Sequence, residues 1–104
     1  MPTFVTVADL ADLDPGSCVS VEVNGRWVAL FNVEGRVYAM DNTCPHAGGP
    51  LGEGTLTGDI VECPWHSWRY NVRTGQRVGN PDFCVECVEV RVLGDQVQVV
   101  LAGT

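Results

Sequence analysis

Two short arms constrain this chain more than any other feature: Cys44-Pro45-His46 and Cys63-Pro64-Trp65-His66, with sixteen glycine-rich residues between them. The chain has only two histidines, and each shares an arm with a cysteine. Thiolate and imidazole together are metal-ligand chemistry, so the fold has to hold two loops face to face. Two thiolates and two imidazoles suit tetrahedral zinc, but the spacing argues against it. Structural zinc sites usually place Cys with Cys in one arm and His with His in the other. Here each arm mixes the two, and the first leaves one residue between its ligands. A mixed arm brings one thiolate and one imidazole to each loop tip. Two such loops can meet across a two-iron core, both cysteines on one iron and both histidines on the other.

The remaining sequence reads as a β scaffold. Its 104 residues fit one domain, and valine dominates the apolar set. Alternation predicts strands over Phe4–Val7 and Cys18–Val23, with Arg26–Val33 as the strand returning from Asn24-Gly25, Arg36–Met40 as the strand after the Glu34-Gly35 turn, and at most one or two helical turns in Ala8–Leu13. Asn24-Gly25 is a hairpin signal, because both turn positions need positive φ. The second arm lies between strands at Asp59–Glu62 and Trp68–Val72. Asn80-Pro81-Asp82 reads as a loop break, and Val85–Leu93 and Gln96–Leu101 as a closing hairpin across Gly94-Asp95. The expectation is an all-β, antiparallel sandwich or barrel spanning 1–104. A metal-binding lobe at about 41–72 is inserted into a base formed by 1–40 and 73–104.

Charge and cysteine usage narrow the partners. A net charge of −7 disfavours nucleic acid and anionic membrane, which need Lys/Arg clusters. It suits docking to a basic patch on another protein, and it equally serves solubility. No apolar run approaches the ~20 residues of a membrane span. Five cysteines, an odd number, in a chain that opens with no basic and apolar leader fit a disulfide framework poorly, and predict a reducing, cytoplasmic location.

The arms and their neighbours resemble the Rieske-type 2Fe–2S family. The likeness extends to Pro45, Gly48, Gly49, Leu51, Gly54, Pro64, Trp65, Trp68, Tyr70 and Thr74-Gly75, and the flanking strands follow in the same order. It implies a Rieske-type fold and one 2Fe–2S cluster held by Cys44, His46, Cys63 and His66. It also implies a ferredoxin that passes electrons from a flavin-dependent reductase to a terminal oxygenase. The small subunit of an NAD(P)H-dependent nitrite reductase shares the fold and is the alternative, although many such subunits lack the ligands that this chain has. A structural zinc module for protein interaction is the rival from another class.

Charge counting assigns the histidines a role. Two ferric ions and two sulfides sum to plus two. Two thiolates and two neutral imidazoles bring the oxidised centre to neutrality, where four thiolates would leave a dianion. Rieske centres therefore lie at about −150 to +300 mV, against about −400 mV for all-cysteine plant-type clusters. With every position filled there is no open site for substrate, so the reading is an electron carrier and not an enzyme. High-potential relatives have two further cysteines where this chain has Gly49 and Trp65, and a serine where it has Trp68. Fewer hydrogen bonds to sulfur predict a potential low in the Rieske range.

Other residues have plainer readings. Gly48, Gly49, Gly52, Gly54 and Gly58 serve turns or let backbone approach the metal. Trp65 is expected to pack over the centre, and Trp27 and Phe31 to be core. Ser67 stands where many relatives have glycine, and is strained if φ there is positive. Cys84 and Cys87 look like a C-x-x-C pair. Period-two alternation would send them to opposite faces, so they and Cys18 read as small hydrophobes.

Overall fold

The computed structural model describes residues 4–44, 48–65 and 67–100. In chain order the strands are β1 (Phe4–Asp9), β2 (Cys18–Val23), β3 (Arg26–Val33), β4 (Arg36–Asp41), β5 (Thr55–Thr57), β6 (Ile60–Glu62), β7 (Arg69–Asn71), β8 (Gln76–Arg77), β9 (Asn80–Cys84), β10 (Cys87–Val88), β11 (Val90–Leu93) and β12 (Gln96–Val100). Single 3₁₀ turns occupy Leu10–Asp12 and Leu51–Glu53. Among the described residues the strands form three sheets, ordered β1-β12-β11, β10-β4-β3-β2 and β5-β6-β7-β8-β9. Neighbours pair antiparallel throughout, as the sandwich reading requires.

Strand β3 is the hinge of the packing, because it is buried on both faces. Val28 and Leu30 join Leu13, Val37, Ala39, Val88, Val97 and Val99 in a core shared with β12. Ala29, Phe31 and Val33 face the other way, onto Met40, Leu51, Val61, Tyr70 and the two arm cysteines. The central sheet thus lies between the β1-β12-β11 sheet and the sheet that carries the second arm. The β2–β3 turn has φ of +51° at Asn24 and +83° at Gly25, as its sequence predicts. Glu34 and Gly35 repeat that geometry between β3 and β4, at +53° and +96°. Buried Asn32 supports this second turn: its Oδ1 accepts the Gly35 N–H at 2.8 Å, and its Nδ2 donates to the Leu13 carbonyl at 2.7 Å.

Three expectations need correction. Asn80-Pro81-Asp82 is not a loop but lies within β9. Proline is tolerated there because β9 is an edge strand bonded only to β8, and an edge needs no second row of N–H donors. The single run Val85–Leu93 is two strands: β10 pairs with β4, whereas β11 pairs with β12 in another sheet. Trp27 is 50% exposed. It shares the face of Ala29 and Phe31, but it sits opposite exposed Glu22 near the hairpin, where the covering residues end. Phe31 is fully buried, as expected. Among the described residues no helix is long and apolar enough to cross a membrane.

Candidate metal centre

Both arms are loops closed at the root by a cysteine backbone N–H. In the first, Cys44 N–H donates to the Gly49 carbonyl at 2.9 Å and Gly48 N–H returns to the Cys44 carbonyl at 2.8 Å. A bridge between Thr43 and Pro50 seals the neck. In the second, Cys63 N–H donates to the Trp68 carbonyl at 2.7 Å. The first loop continues from β4 in the central sheet, whereas the second is the β6–β7 connection of the outer sheet.

A buried asparagine anchors the first loop. Asn42 Oδ1 accepts from the Gly52 N–H at 2.7 Å and from the Ser20 hydroxyl at 3.0 Å, and its carbonyl accepts the Leu51 N–H at 2.8 Å. Gly52 can sit there only without a side chain, since a Cβ would lie 2.6 Å from the Ser20 backbone nitrogen. Sequence reasoning passed over Asn42. Its one signal is a polar residue between a strand and a ligand arm.

Cys44 and Cys63 are each 1% exposed, so the fold brings two thiols from separate sheets into one buried place. Burial pushes the Cys63 thiol above its ordinary value; the Trp65 backbone N–H opposes this, and the adjoining Cys44 thiol adds to it. The Tyr70 hydroxyl lies 3.3 Å from Cys44 Sγ and is itself fully buried. Burial, then the Cys44 and Cys63 sulfurs, hold its phenol well above the ordinary range, with nearby Arg77 opposing. Tyr70 therefore keeps its proton and donates when Cys44 is a thiolate.

The backbone around the thiols is tight. A Cβ at Gly49 would meet Cys63 Sγ at 2.8 Å and Trp65 Cγ at 2.9 Å. Gly49 and Trp65, the two positions read as lacking a staple, are thus neighbours across the loops, and Trp65 remains 51% exposed while packed there. Of the five glycines, Gly48 and Gly58 have positive φ, whereas Gly49, Gly52 and Gly54 are places of close approach. Ser67 has φ +60°, so serine does occupy a left-handed position beside the second arm.

His46 and His66, the two nitrogen ligands read from the sequence, lie outside the described residues, as do Pro45 and Ala47. Among the described residues no third Cys, His, Asp or Glu joins the cysteine pair. The described half of the centre fits the sulfur side of an iron–sulfur cluster. Two unbridged buried thiols stand together, with one O–H and one backbone N–H aimed at sulfur. Elsewhere, Cys18 is half-buried with its Sγ 3.4 Å from the Gly54 carbonyl, in keeping with a packing role. Cys84 and Cys87 depart from expectation, because both are exposed. Val85 and Val88, also three apart, are both buried. Val85 and Glu86 belong to no strand, so the alternation is interrupted between the two cysteines.

Comparison with known proteins agrees with this geometry. The sequence profile of the Rieske [2Fe-2S] domain matches residues 3–91. The ferredoxin component of the naphthalene 1,2-dioxygenase/salicylate 5-hydroxylase systems of Ralstonia sp. is 41% identical over 78 residues, which cover 75% of each chain. A chain in the complex of reduced oxygenase and oxidized ferredoxin in carbazole 1,9a-dioxygenase superposes with a TM-score of 0.85 at 34% identity, covering 93% of this chain and 92% of that one. A protein described as an NADH-dependent nitrite reductase small subunit, from Mycobacterium tuberculosis, gives 0.88 at 25% identity, covering 100% and 99%. The chain belongs to the Rieske 2Fe–2S domain family, with one Rieske-type 2Fe–2S cluster as its cofactor and electron carriage as its function.

Proposed function

We propose that this chain passes single electrons from a flavin-dependent reductase to a terminal oxygenase in the cytoplasm and performs no substrate chemistry itself. Cys44, His46, Cys63 and His66 hold the cluster, in a lobe at about 41–72 carried on a base of 1–40 and 73–104 within one domain. When bound, the cluster supplies a one-electron couple. The residues around it shape that couple: Tyr70 keeps a proton on its hydroxyl beside Cys44 Sγ, the Trp65 N–H faces Cys63, and the buried position of both thiols excludes water. The pairing of two buried, unbridged thiols under those donors is the observation that carries the reading. The oxygenase partner is supported by the oxygenase–ferredoxin complex to which the chain is similar. A shuttle must release its partners, so contacts are expected to be small and sensitive to salt, and the net charge of −7 favours basic patches on those partners.

The test is turnover of a terminal oxygenase driven by a flavin reductase, with and without this chain, together with the EPR spectrum of the dithionite-reduced protein. A Rieske-type signal and chain-dependent turnover that weakens with ionic strength are expected. Transfer to a nitrite reductase and to no oxygenase would favour the small-subunit reading, in keeping with the second structural likeness. A colourless, zinc-containing protein would overturn both.

A further inference from the structure

The outer sheet has one row of directly opposed residues that runs toward the centre. Leu56 faces Val61, Val61 faces Tyr70, and Tyr70 faces Arg77. Opposed residues on neighbouring strands share a face. Leu56, Val61 and Tyr70 all pack with Cys44 and Cys63 in one core, and so does Trp68, two residues before Tyr70. The row therefore lies on the side of the sheet turned to the thiols, and Arg77 is its one charge.

The side chain is held there. Its guanidinium carbon lies 3.4 Å from the Trp68 ring centroid and 5.9 Å from that of Phe83. The two rings meet edge-to-face at 5.3 Å, so Arg77 is stacked into an aromatic notch instead of extending into solvent. Among the described residues the ion pairs are those of Arg26 with Asp41 and Glu86, and of Arg73 with Asp59, so no carboxylate there neutralises Arg77. An acidic chain thus keeps an uncompensated cation one residue pair away from the tyrosine that touches Cys44.

We propose that Arg77 is a positioning residue for the redox couple: its fixed positive charge, held by Trp68 on the cysteine side, raises the reduction potential. The inference rests on the cluster assignment above. A cation stabilises the state with the added electron. At a separation of roughly 10 Å and an effective dielectric of about 20–40, removing it should cost about four- to sixteenfold in the reduction equilibrium, or about 35–70 mV at 59 mV per tenfold.

The experiment measures midpoint potential and iron content in Arg77→Met, Arg77→Gln and Arg77→Lys. Arg36→Met, at the far end of β4 from Cys44, serves as a charge-removal control. Both neutral variants should bind iron and shift down by about four- to sixteenfold, the lysine variant should stay within about twofold of the parent, and the Arg36 variant should not move. Higher salt should narrow the gap between parent and neutral variants. Neutral variants with full iron content and the parental potential would overturn the proposal, as would a lysine variant as low as the neutral ones. Loss of iron in both neutral variants would make Arg77 structural and overturn it too. Failure of the underlying assignment would look different, since the parent protein itself would lack iron and acid-labile sulfide.

Discussion

Replacing Gly49 by alanine tests the closeness of the two arms directly. The new methyl would lie 2.8 Å from Cys63 Sγ, 2.9 Å from Trp65 Cγ and 3.1 Å from Trp65 Cβ. Comfortable carbon contacts are roughly 3.5–4.0 Å, so several tenths of an ångström must be found on two sides at once. Cys63 cannot yield easily, because it is buried and its N–H is tied to Trp68. Trp65 is half exposed and can swing outward, which uncovers the second arm. Overpacking of this kind costs about 1–3 kcal/mol, and a domain of this size should then unfold about 5–15 °C lower. Gly48→Ala is the matched control. Its φ is +75° with nothing within 4 Å, so alanine there meets backbone strain alone, about 1–2 kcal/mol. Thermal unfolding, iron content and visible or EPR spectra separate the two. Gly48→Ala should lose stability with an unchanged spectrum, whereas Gly49→Ala should also lose iron or alter its spectrum by displacing Cys63. A Gly49→Ala protein with parental iron content, spectrum and unfolding temperature would refute the packing argument.

Tyr70→Phe should keep iron while lowering the midpoint potential by up to about tenfold in the equilibrium (about 59 mV), since it deletes the hydroxyl beside Cys44; a redox titration decides. Ser67→Gly relieves a left-handed serine and should stabilise the protein by about 0.5–1 kcal/mol, read as a rise of a few degrees in unfolding temperature. The raised Cys63 thiol pKa implies that the iron-free chain is most stable while that thiol is protonated. Stability should fall as the pH climbs from the ordinary cysteine range through the raised value, and Cys63→Ser should flatten the profile in denaturant melts. Serine at Cys18, Cys84 and Cys87 together should leave iron content intact, whereas changing any one of Cys44, His46, Cys63 or His66 should abolish or alter the cluster, as measured by iron and sulfide analysis.

Local chemistry made part of this fold legible. Asn24-Gly25 specifies its turn through its own backbone preferences, and the strands on either side run for six and eight residues, long enough to read. Strands β5 and β8, three and two residues long, show no period at all and were invisible. Pro81 looked like a break because the rule against proline holds for inner strands, and edge position is a property of the whole sheet. Trp27 looked like core because its neighbours on the same face are; its exposure depends on where the covering lobe ends. The cysteine arms were legible as chelating chemistry, and the meeting of Cys44 with Cys63 follows from that reading. Asn42, which anchors the first loop, and Arg77, which ends a row of apolar residues, owe their places to pairings across the sheets that no local window contains.

Tyr70 has a role beyond a single contact, because the two cysteines belong to different sheets. Cys44 hangs from β4 in the central sheet and Cys63 from β6 in the outer one, so the distance between the sulfurs depends on how firmly the sheets are clamped. Phe31 and Met40 from the central sheet interlock with Val61 and Tyr70 from the outer sheet in one core. Tyr70 stands on the strand that follows the second loop, yet its hydroxyl reaches the cysteine of the first. It is a polar cross-brace over an apolar clamp. A centre that exchanges one electron works best when its surroundings are already arranged for both oxidation states, and rigid elements supply that arrangement better than loops alone. The short, closed loops and the tyrosine brace show how a chain of this size positions two sulfurs without a disulfide between the arms.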